Sequence, residues 1–280
     1  MKKTLAQESI LSKELQLNGC ITIKQAMNKL DISEATARRL FQRVEKKGIG
    51  IRTHGKISLP DSSYSFYRYE TSEELYIKEK RQIVEEAVSL VKDGDVLFLD
   101  SGTTVCLFSM ALNRALKQGK LKDIKVFTNS YTIINILHES TKVNLIGGEY
   151  RAHRKDFCGY ITEKVLKEFH YNKCFLGTDG YNKLSGFTTT DFDCAKICEI
   201  AIENSDNAIV LMDYHKYNKA SSTTYSKGDN LSVVISDSKL PLEAIKELTS
   251  MGINVKIARK WANQSFYLTD FSWRRLMVML

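Results

Sequence analysis

Apolar residues at helical spacing run through the first 45 residues and predict three short helices. The first has a broad apolar face over residues 5 to 17, made by Leu5, Ile10, Leu11, Leu15 and Leu17, and Asn18-Gly19 ends it. Thr22 and Gln25 form a capping box that opens a second helix, whose apolar residues are Ile23, Ala26, Met27 and Leu30. Ser33 is placed to cap a third helix beginning at Glu34. Helix, tight turn and helix over about residues 21–40 predict a helix-turn-helix.

The third helix also carries cationic and hydrogen-bonding side chains. We expect Leu40 and Val44 to face a core, while one other side of the helix is crowded by Thr36, Arg38, Arg39 and Arg43. A cationic helix on an apolar base is typical of a helix that reads a DNA groove. The alternative is a solvated basic helix in a small bundle, but the cap spacing and the turn favour the DNA-reading helix.

A short alternating stretch follows the third helix. The residues I-G-I-R-T-H-G-K-I-S-L alternate apolar and polar, with Gly55 placed for a tight turn, and they predict a two-stranded wing. Arg52, His54 and Lys56 would lie on this wing, where they can touch phosphate or reach a minor groove. The alternative is an ordinary hairpin whose charges are only solvated. Residues 1–60 are therefore predicted to form a winged helix-turn-helix domain.

A change of pattern after residue 60 predicts a second domain. Residues 61–80 are polar and aromatic and are interpreted as a linker, although an amphipathic helix pattern already starts at Glu73 and runs to Val91. Buried strands then alternate with helices, the first of which begins near Thr104; the strands are predicted at 96–99, 124–127, 143–146, 173–176, 208–212 and 233–235. This alternation predicts an α/β domain over residues 81–258 with a mostly parallel sheet, in which ligands bind beyond the carboxyl ends of the strands.

The loops at those strand ends carry the candidate effector site. The first loop, D-S-G-T-T, precedes a helix. Its hydroxyls, and a glycine that lets the backbone approach a ligand closely, suit a phosphate. The residues of this loop are Asp100, Ser101, Gly102, Thr103 and Thr104. Further candidates lie in later loops, namely Asn129, Gly147, Gly148, Arg151, Asp179 and Lys216. Convergence of these loops would place donors and cations for a phosphate beside carboxylates for hydroxyls. The alternatives are a turn-forming role for Asp179 and a solvated surface position for Lys216.

Charge is concentrated at the two ends of the chain. Residues 1–60 hold 12 Lys and Arg against 5 Asp and Glu, and residues 259–280 hold 4 against 1, so the remaining residues sum to −2 of the total of +8. A cationic N-terminal part on a near-neutral body favours binding to a polyanion. No apolar run reaches a membrane span and no signal peptide is evident, so we expect a cytoplasmic protein. The six cysteines include no C-x-x-C pair; Cys194 and Cys198 stand one turn apart without further ligands, and neither a metal nor a cofactor is predicted.

The N-terminal residues resemble the DeoR-type bacterial transcriptional regulators, whose motif S-x-x-T-[IV]-R-R-D-L is followed by R-x-H-G-G. The chain keeps the motif at Ser33, Thr36, Arg38, Arg39, Arg52, His54 and Gly55. It departs from the motif at Leu40, Phe41 and Lys56, where the family has Asp, Leu and Gly. The later loops resemble the DeoR C-terminal sensor domain. That resemblance implies a fold shared with ribose-5-phosphate isomerase and a phosphorylated sugar as effector.

Two functions compete at this point, a ligand-responsive repressor of a carbohydrate operon and a sugar-phosphate isomerase with a DNA-binding module attached. Isomerases of that fold carry D-G-x-D, whereas this chain reads D-G-Y-N, so that Asn182 replaces the second carboxylate. An amide cannot relay a proton, which favours the repressor. Because one recognition helix reads few base pairs, we expect a homo-oligomer on operator DNA. Residues 259–280 form a tail to which no role is assigned.

Overall fold

The computed structural model describes residues 2–18, 20–53, 55–58 and 69–259. Its N-terminal part contains helices α1 (Lys2–Asn18), α2 (Ile23–Leu30) and α3 (Glu34–Lys46) and strands β1 (Cys20–Thr22), β2 (Ile51–Thr53) and β3 (Lys56–Ser58). The predicted capping box of Thr22 and Gln25 and the Ser33 cap are both present. Asp31 ends α2 in the left-handed region with φ 48°, which turns the chain sharply towards α3. The predicted helix-turn-helix is confirmed.

The wing is also confirmed, with one more strand than predicted. β2 and β3 pair antiparallel across Gly55, whose φ of 73° fits a glycine turn. β1 pairs with the other side of β3, so the wing is a three-stranded sheet. A single apolar cluster joins helices and wing, and its most buried members are Leu11, Leu15, Ala26, Ala37, Leu40, Phe41, Val44 and Ile57. The core-facing roles predicted for Leu40 and Val44 are thereby confirmed.

The helix predicted over Glu73 to Val91 is wrong in its bounds. The structure has two helices here, α4 (Tyr69–Glu74) and α5 (Ile77–Val88), separated at Tyr76, which adopts φ 54°. This left-handed conformation is costly for a residue with a Cβ, and no sequence rule singles out a tyrosine for it. The predicted linker is corrected as well. Its residues 69–74 and 77–80 are helical, with Tyr69 buried, and its residues 61–68 lie outside the described residues.

A seven-stranded, wholly parallel sheet forms the second part, in the order β15-β14-β12-β9-β4-β5-β6. Its strands are β4 (Val96–Leu99), β5 (Lys125–Thr128), β6 (Lys142–Leu145), β9 (Tyr171–Gly177), β12 (Ser205–Leu211), β14 (Val233–Ser236) and β15 (Asn254–Ile257). The six predicted strands are confirmed to within a few residues at their ends. β15 was not predicted.

Helices cover both faces of this sheet: α6 (Thr103–Lys117), α7 (Tyr131–Leu137), α8 (Tyr160–Lys167), α9 (Phe192–Glu203) and α10 (Leu242–Ser250), together with α5. Leu97 and Leu99 pack in one apolar layer with residues of α5, α6 and α7. Phe98, between them in sequence, packs in the other layer with residues of α8, α9 and α10. This alternation is the period-two pattern of a strand buried on both sides.

Short antiparallel strands, absent from the prediction, flank the carboxyl ends of the sheet. They form a hairpin of β7 (Glu149–Arg151) and β8 (Asp156–Cys158) and a small sheet of β10 (Gly180–Asn182), β11 (Gly186–Thr189) and β13 (Thr223–Ser226). A single 3-10 turn, Tyr214–Lys216, follows β12. None of the helices in the described part of the chain combines the length and apolarity that crossing a bilayer requires.

Candidate DNA-binding surface and effector pocket

The start of α3 is fixed by its own side chains. Ser33 Oγ accepts a hydrogen bond from the Thr36 amide at 3.3 Å and lies 2.9 Å from Thr36 Oγ1. An N-cap of this kind satisfies an otherwise unpaired backbone donor and typically contributes about 1 kcal/mol. Both residues therefore set where α3 begins. The DNA contacts predicted for Ser33 and Thr36 stay predictions.

The arginines of α3 do not share one side as expected. At about 100° per residue, Thr36, Arg39 and Arg43 fall close together around the helix axis, whereas Arg38 lies about 100° from Arg39. Arg38 pairs with Glu34 at 2.6 Å, and Arg43 lies 3.5 Å from Glu8 of α1. Arg39 is exposed, and the described residues hold no ion-pair partner for it. Its side chain is thus available to an external anion.

The wing contacts the same helix through Arg52. The Arg52 guanidinium contacts Glu45 Oε2 at 2.5 Å, and the Arg52 amide donates to Glu45 Oε1 at 3.0 Å. The hydrogen bonds from the Arg52 amide and guanidinium lower the pKa of Glu45. Lys56 is exposed at the turn of the hairpin, while the predicted DNA contact His54 lies outside the described residues. Arg52 therefore ties the wing to α3 as well as offering charge.

A polar cavity lies at the carboxyl ends of β4, β9 and β12. Seven of the predicted effector residues line it: Asp100, Ser101, Gly102, Thr103, Thr104, Asp179 and Lys216. The N-cap of α6 is Gly102, which has no side chain to satisfy the first backbone amides of the helix. Uncapped amides at a helix start attract an anion. The loop geometry expected for a phosphate cradle is therefore present, while ligand binding itself stays a prediction.

Asp100 braces this loop from below. Its Oδ2 accepts hydrogen bonds from the amides of Gly177 and Gly102 at 3.2 and 3.3 Å. Burial raises the pKa of the Asp100 carboxyl, while these amides act against that rise. A Cβ on Gly102 would lie 3.2 Å from Asp100 Oδ2, which is a tight contact, and 3.7 Å from the Gly177 Cα, which is an ordinary one, so glycine relieves crowding at the Asp100 carboxylate. Asp100 thus holds the β4 and β9 loops together.

Asp179 and Lys216 face each other across the cavity. Lys216 Nζ lies 4.0 Å from Asp179 Oδ1. The other oxygen, Oδ2, accepts from the Thr190 amide at 2.9 Å and from the hydroxyls of Thr189 and Thr190 at 3.1 Å each. Burial acts to raise the pKa of Asp179, but Lys216 and the Thr190 amide outweigh it and the pKa ends lower than usual. An ionised carboxylate oxygen therefore remains directed at the cation.

Lys80 is a pocket residue that sequence analysis missed. Its ammonium donates to the Ser72 carbonyl at 2.6 Å and to Thr103 Oγ1 at 3.1 Å. Burial, together with repulsion from Lys216, lowers the pKa of Lys80 to about 8. A lysine in the core-facing row of an amphipathic helix, one turn before Ile83 and Val84, was the available signal, since such positions are normally apolar.

Four predicted effector residues lie elsewhere. Arg151 is clamped by Asp156 at 2.8 Å and by Asp191 at 2.7 Å, and Asn129 donates to the Phe157 carbonyl at 3.0 Å. A Cβ on Gly148 would fall 2.1 Å from Thr162 Oγ1, and the Gly147 carbonyl accepts from that hydroxyl at 3.0 Å. All four are therefore positioned for packing rather than for lining the cavity. The arginine that does line it is Arg154, which is 8% exposed.

Asp213 completes the polar wall of the cavity. It caps the turn Tyr214–Lys216 by accepting from the His215 amide through Oδ1 at 3.1 Å. The cysteines Cys194 and Cys198 also touch the cavity, but burial raises the pKa of both thiols well above the usual range. They are therefore packed as small apolar groups in the thiol form.

A winged helix-turn-helix joined to a parallel α/β domain with a polar pocket defines a DNA-binding transcriptional regulator. The chain matches the DeoR-like helix-turn-helix domain over residues 7–63 and the DeoR C terminal sensor domain over residues 76–238. It therefore belongs to the DeoR family of bacterial transcriptional regulators. The resemblance expected from the sequence motifs is confirmed.

Similar proteins include named repressors. The lactose phosphotransferase system repressor of Lactococcus lactis subsp. lactis is 33% identical over 89% of this chain and 96% of its own length. A putative aga operon transcriptional repressor of Escherichia coli O157:H7 is 28% identical over 89% of this chain and 91% of its own length. Among solved structures, ribose 5-phosphate isomerase A of Methanocaldococcus jannaschii is 21% identical, with a TM-score of 0.38, over 49% of this chain and 53% of its own. A likeness of that extent says nothing about activity.

Proposed function

We propose that the protein is cytoplasmic and represses a carbohydrate uptake or catabolism operon. A phosphorylated sugar bound in the pocket alters its affinity for operator DNA. The observation that carries this proposal is one cavity that combines the uncapped start of α6, the cations Lys80 and Lys216, and the carboxylates Asp179 and Asp213. The names of the similar repressors support a sugar operon. An unphosphorylated sugar would bring no negative charge to the uncapped start of α6 or to Lys80 and Lys216.

The two ends of a sugar phosphate suit the two sides of this cavity. A phosphate dianion fits the amides at the start of α6, with the hydroxyls of Thr103 and Thr104 and the charge of Lys80 and Lys216 around it. Sugar hydroxyls are donors, and the ionised Asp179 offers them its Oδ1. Polar groups at both ends would discriminate against ligands that lack either the phosphate or the hydroxyls.

On the DNA side, α3 enters the major groove and the wing lies along the backbone. Arg39 is the residue we assign first to base or phosphate contact, because the described residues leave it without an ion-pair partner. Arg38, Arg43 and Arg52 hold ion pairs at partly exposed positions, and such pairs typically contribute less than about 1 kcal/mol, so DNA can displace them. Ser33, Thr36, His54 and Lys56 complete the proposed contact set.

A homo-oligomer is part of the proposal, because a single recognition helix reads only a few base pairs. Helix α8 presents apolar side chains to solvent, with Tyr160 74% and Ile161 63% exposed. Lys164 and Glu168 lie on the same exposed side and find no ion-pair partner among the described residues. A surface with apolar groups and both charges can pair with its own copy about a two-fold axis. We therefore assign the subunit contact to α8.

Two features of the described residues weigh against the competing isomerase function. Asn182, which stands in place of the second carboxylate, accepts from the Ser185 amide at 2.7 Å in the β10–β11 turn and does not line the cavity. Asp100 and Asp179 each spend one oxygen on backbone amides. We propose that the pocket binds without turnover.

Calorimetry with a panel of hexose and pentose phosphates, each beside its unphosphorylated sugar, tests the proposed effector class. We expect at least one phosphorylated sugar to bind and its parent sugar to bind far more weakly. Lys216→Met should weaken binding, since one cation facing the phosphate is removed. Equal binding of a sugar with and without its phosphate would refute the proposal.

A further inference from the structure

Helix α4 forms one wall of the pocket and is also the first described element after residue 68. Its residue Ser72, and Leu75 and Tyr76 just beyond it, line the cavity. The Tyr76 ring stacks on His215 at a centroid distance of 3.4 Å, and the Tyr69 amide donates to the His153 carbonyl at 3.2 Å. A change in how firmly α4 is held against the pocket therefore acts on the residues at which the description of the second part of the chain begins.

One ammonium joins α4 to the start of α6. Lys80 Nζ donates to the Ser72 carbonyl of α4 and to Thr103 Oγ1, and Thr103 is the first residue of α6. An ammonium has three N–H donors, and within the described residues two acceptors are found for this one. Among those residues, one donor is left for a further acceptor. An anion resting on the first amides of α6 lies within reach of it, because the ammonium is already 3.1 Å from Thr103 Oγ1.

The charges around Lys80 favour such an anion. The neighbouring cation Lys216 opposes the charged form of Lys80, and the carboxylates of Asp213, Glu73 and Asp179 support it. Without ligand, the effect of burial on Lys80 is larger than that of the three carboxylates, so its pKa is lowered. A phosphate at the start of α6 adds negative charge next to both lysines, and a charge-assisted hydrogen bond is shorter and stronger than a neutral one.

We propose that Lys80 couples the effector site to the DNA-binding module: an anion at the start of α6 takes the third N–H of Lys80 and thereby fixes α4 through the Ser72 carbonyl. This inference rests on the proposed function, because it takes the cavity to be the effector site. The ligand and α4 become neighbours in one hydrogen-bonded chain. Residues 69–76 are then more ordered when the pocket holds a ligand than when it is empty. DNA binding can use this free-energy difference.

Hydrogen–deuterium exchange on the full-length protein with inorganic phosphate as the probe tests this coupling. In the wild type, we expect phosphate to slow exchange both over residues 101–106 and over residues 69–76, the latter by about tenfold, as one added charge-assisted hydrogen bond implies. In Lys80→Met, saturating phosphate should still slow residues 101–106 but leave residues 69–76 unchanged.

Lys216→Met is the matched control, because it removes the other lysine of the pocket but leaves the contact of Lys80 with α4. This variant should need more phosphate, and at saturation phosphate should slow exchange over both segments. Slowing of residues 69–76 in Lys80→Met equal to that in the wild type would overturn the coupling and leave the pocket assignment intact. No slowing of residues 101–106 in the wild type at any phosphate concentration would overturn the anion site and the coupling with it.

Discussion

Replacing Arg39 by alanine separates a DNA-reading helix from a merely basic one. Arg39 is exposed on α3, and the described residues offer it no ion-pair partner, so its removal should change the free energy of unfolding by less than about 0.5 kcal/mol. Operator binding should weaken by about 1–3 kcal/mol for each module on the DNA if Arg39 reads a base. If it contacts phosphate, the slope of log Kd against log salt should fall by about one per module.

Arg38→Ala provides the comparison within the same helix. Arg38 must give up Glu34 before it contacts DNA, and an exposed pair of this kind contributes about 0.2–1 kcal/mol, so Arg38→Ala should cost less operator affinity than Arg39→Ala. Lys120→Ala, at an exposed position on the body, removes the same formal charge as a control. Fluorescence anisotropy with labelled operator at several salt concentrations measures all three. An Arg39→Ala variant with the affinity and salt slope of Lys120→Ala would refute the assignment of α3.

Three further predictions concern the body of the protein. Gly148→Ala should destabilise it by about 1–3 kcal/mol in urea denaturation, because the new Cβ would lie 2.1 Å from Thr162 Oγ1. In the control Gly147→Ala the new Cβ meets nothing within 4 Å, so the free energy of unfolding should change by less than about 0.5 kcal/mol. Similar values for both variants would contradict the packing role of Gly148. The pKa of Lys80 is about 8 in the folded protein and 10.5 ordinarily, so the unfolded chain binds more protons between those two pH values. The stability of the wild type relative to Lys80→Met should therefore rise from pH 8 to pH 10, by up to about 3 kcal/mol. A stability difference that does not change with pH would refute the burial of a charged Lys80. Ile161→Asp on α8 should lower the oligomeric state in sedimentation, with Leu184→Asp, at another exposed apolar side chain, as the control; unchanged assembly in both would place the interface elsewhere.

The N-terminal module could be predicted from sequence because its signals are local. A cap at Ser33, a capping box at Thr22 and a turn glycine at Gly55 each act on the backbone within three or four residues. The central strands were equally accessible, since burial on both faces leaves continuous apolar runs such as Val96–Leu99. Where a residue's neighbours in the chain decide its conformation, the pattern was sufficient.

The pocket was only partly predictable because side-chain direction there depends on distant residues. Arg151 and Arg154 are three residues apart and chemically alike, but Asp156 and Asp191, the latter 40 residues away in the chain, hold Arg151 out of the cavity. Lys80 joins the site from a helix that precedes the first predicted loop, and its partner Ser72 lies on α4, beyond the break at Tyr76. Neither the long-range ion pair nor a left-handed tyrosine leaves a signal in a single sequence.

The most direct test of the account is the affinity for operator DNA with and without the phosphorylated sugar that binds in calorimetry. The wild type should change its operator affinity by about 5- to 150-fold on saturation with that sugar phosphate, the range typical of coupling between two sites. Lys216→Glu, which places a carboxylate opposite Asp179, should bind operator as the ligand-free wild type does and show no change on adding the ligand. A Lys216→Glu variant that responds as the wild type does, or a wild type whose operator affinity is the same with and without the bound sugar phosphate, would contradict it.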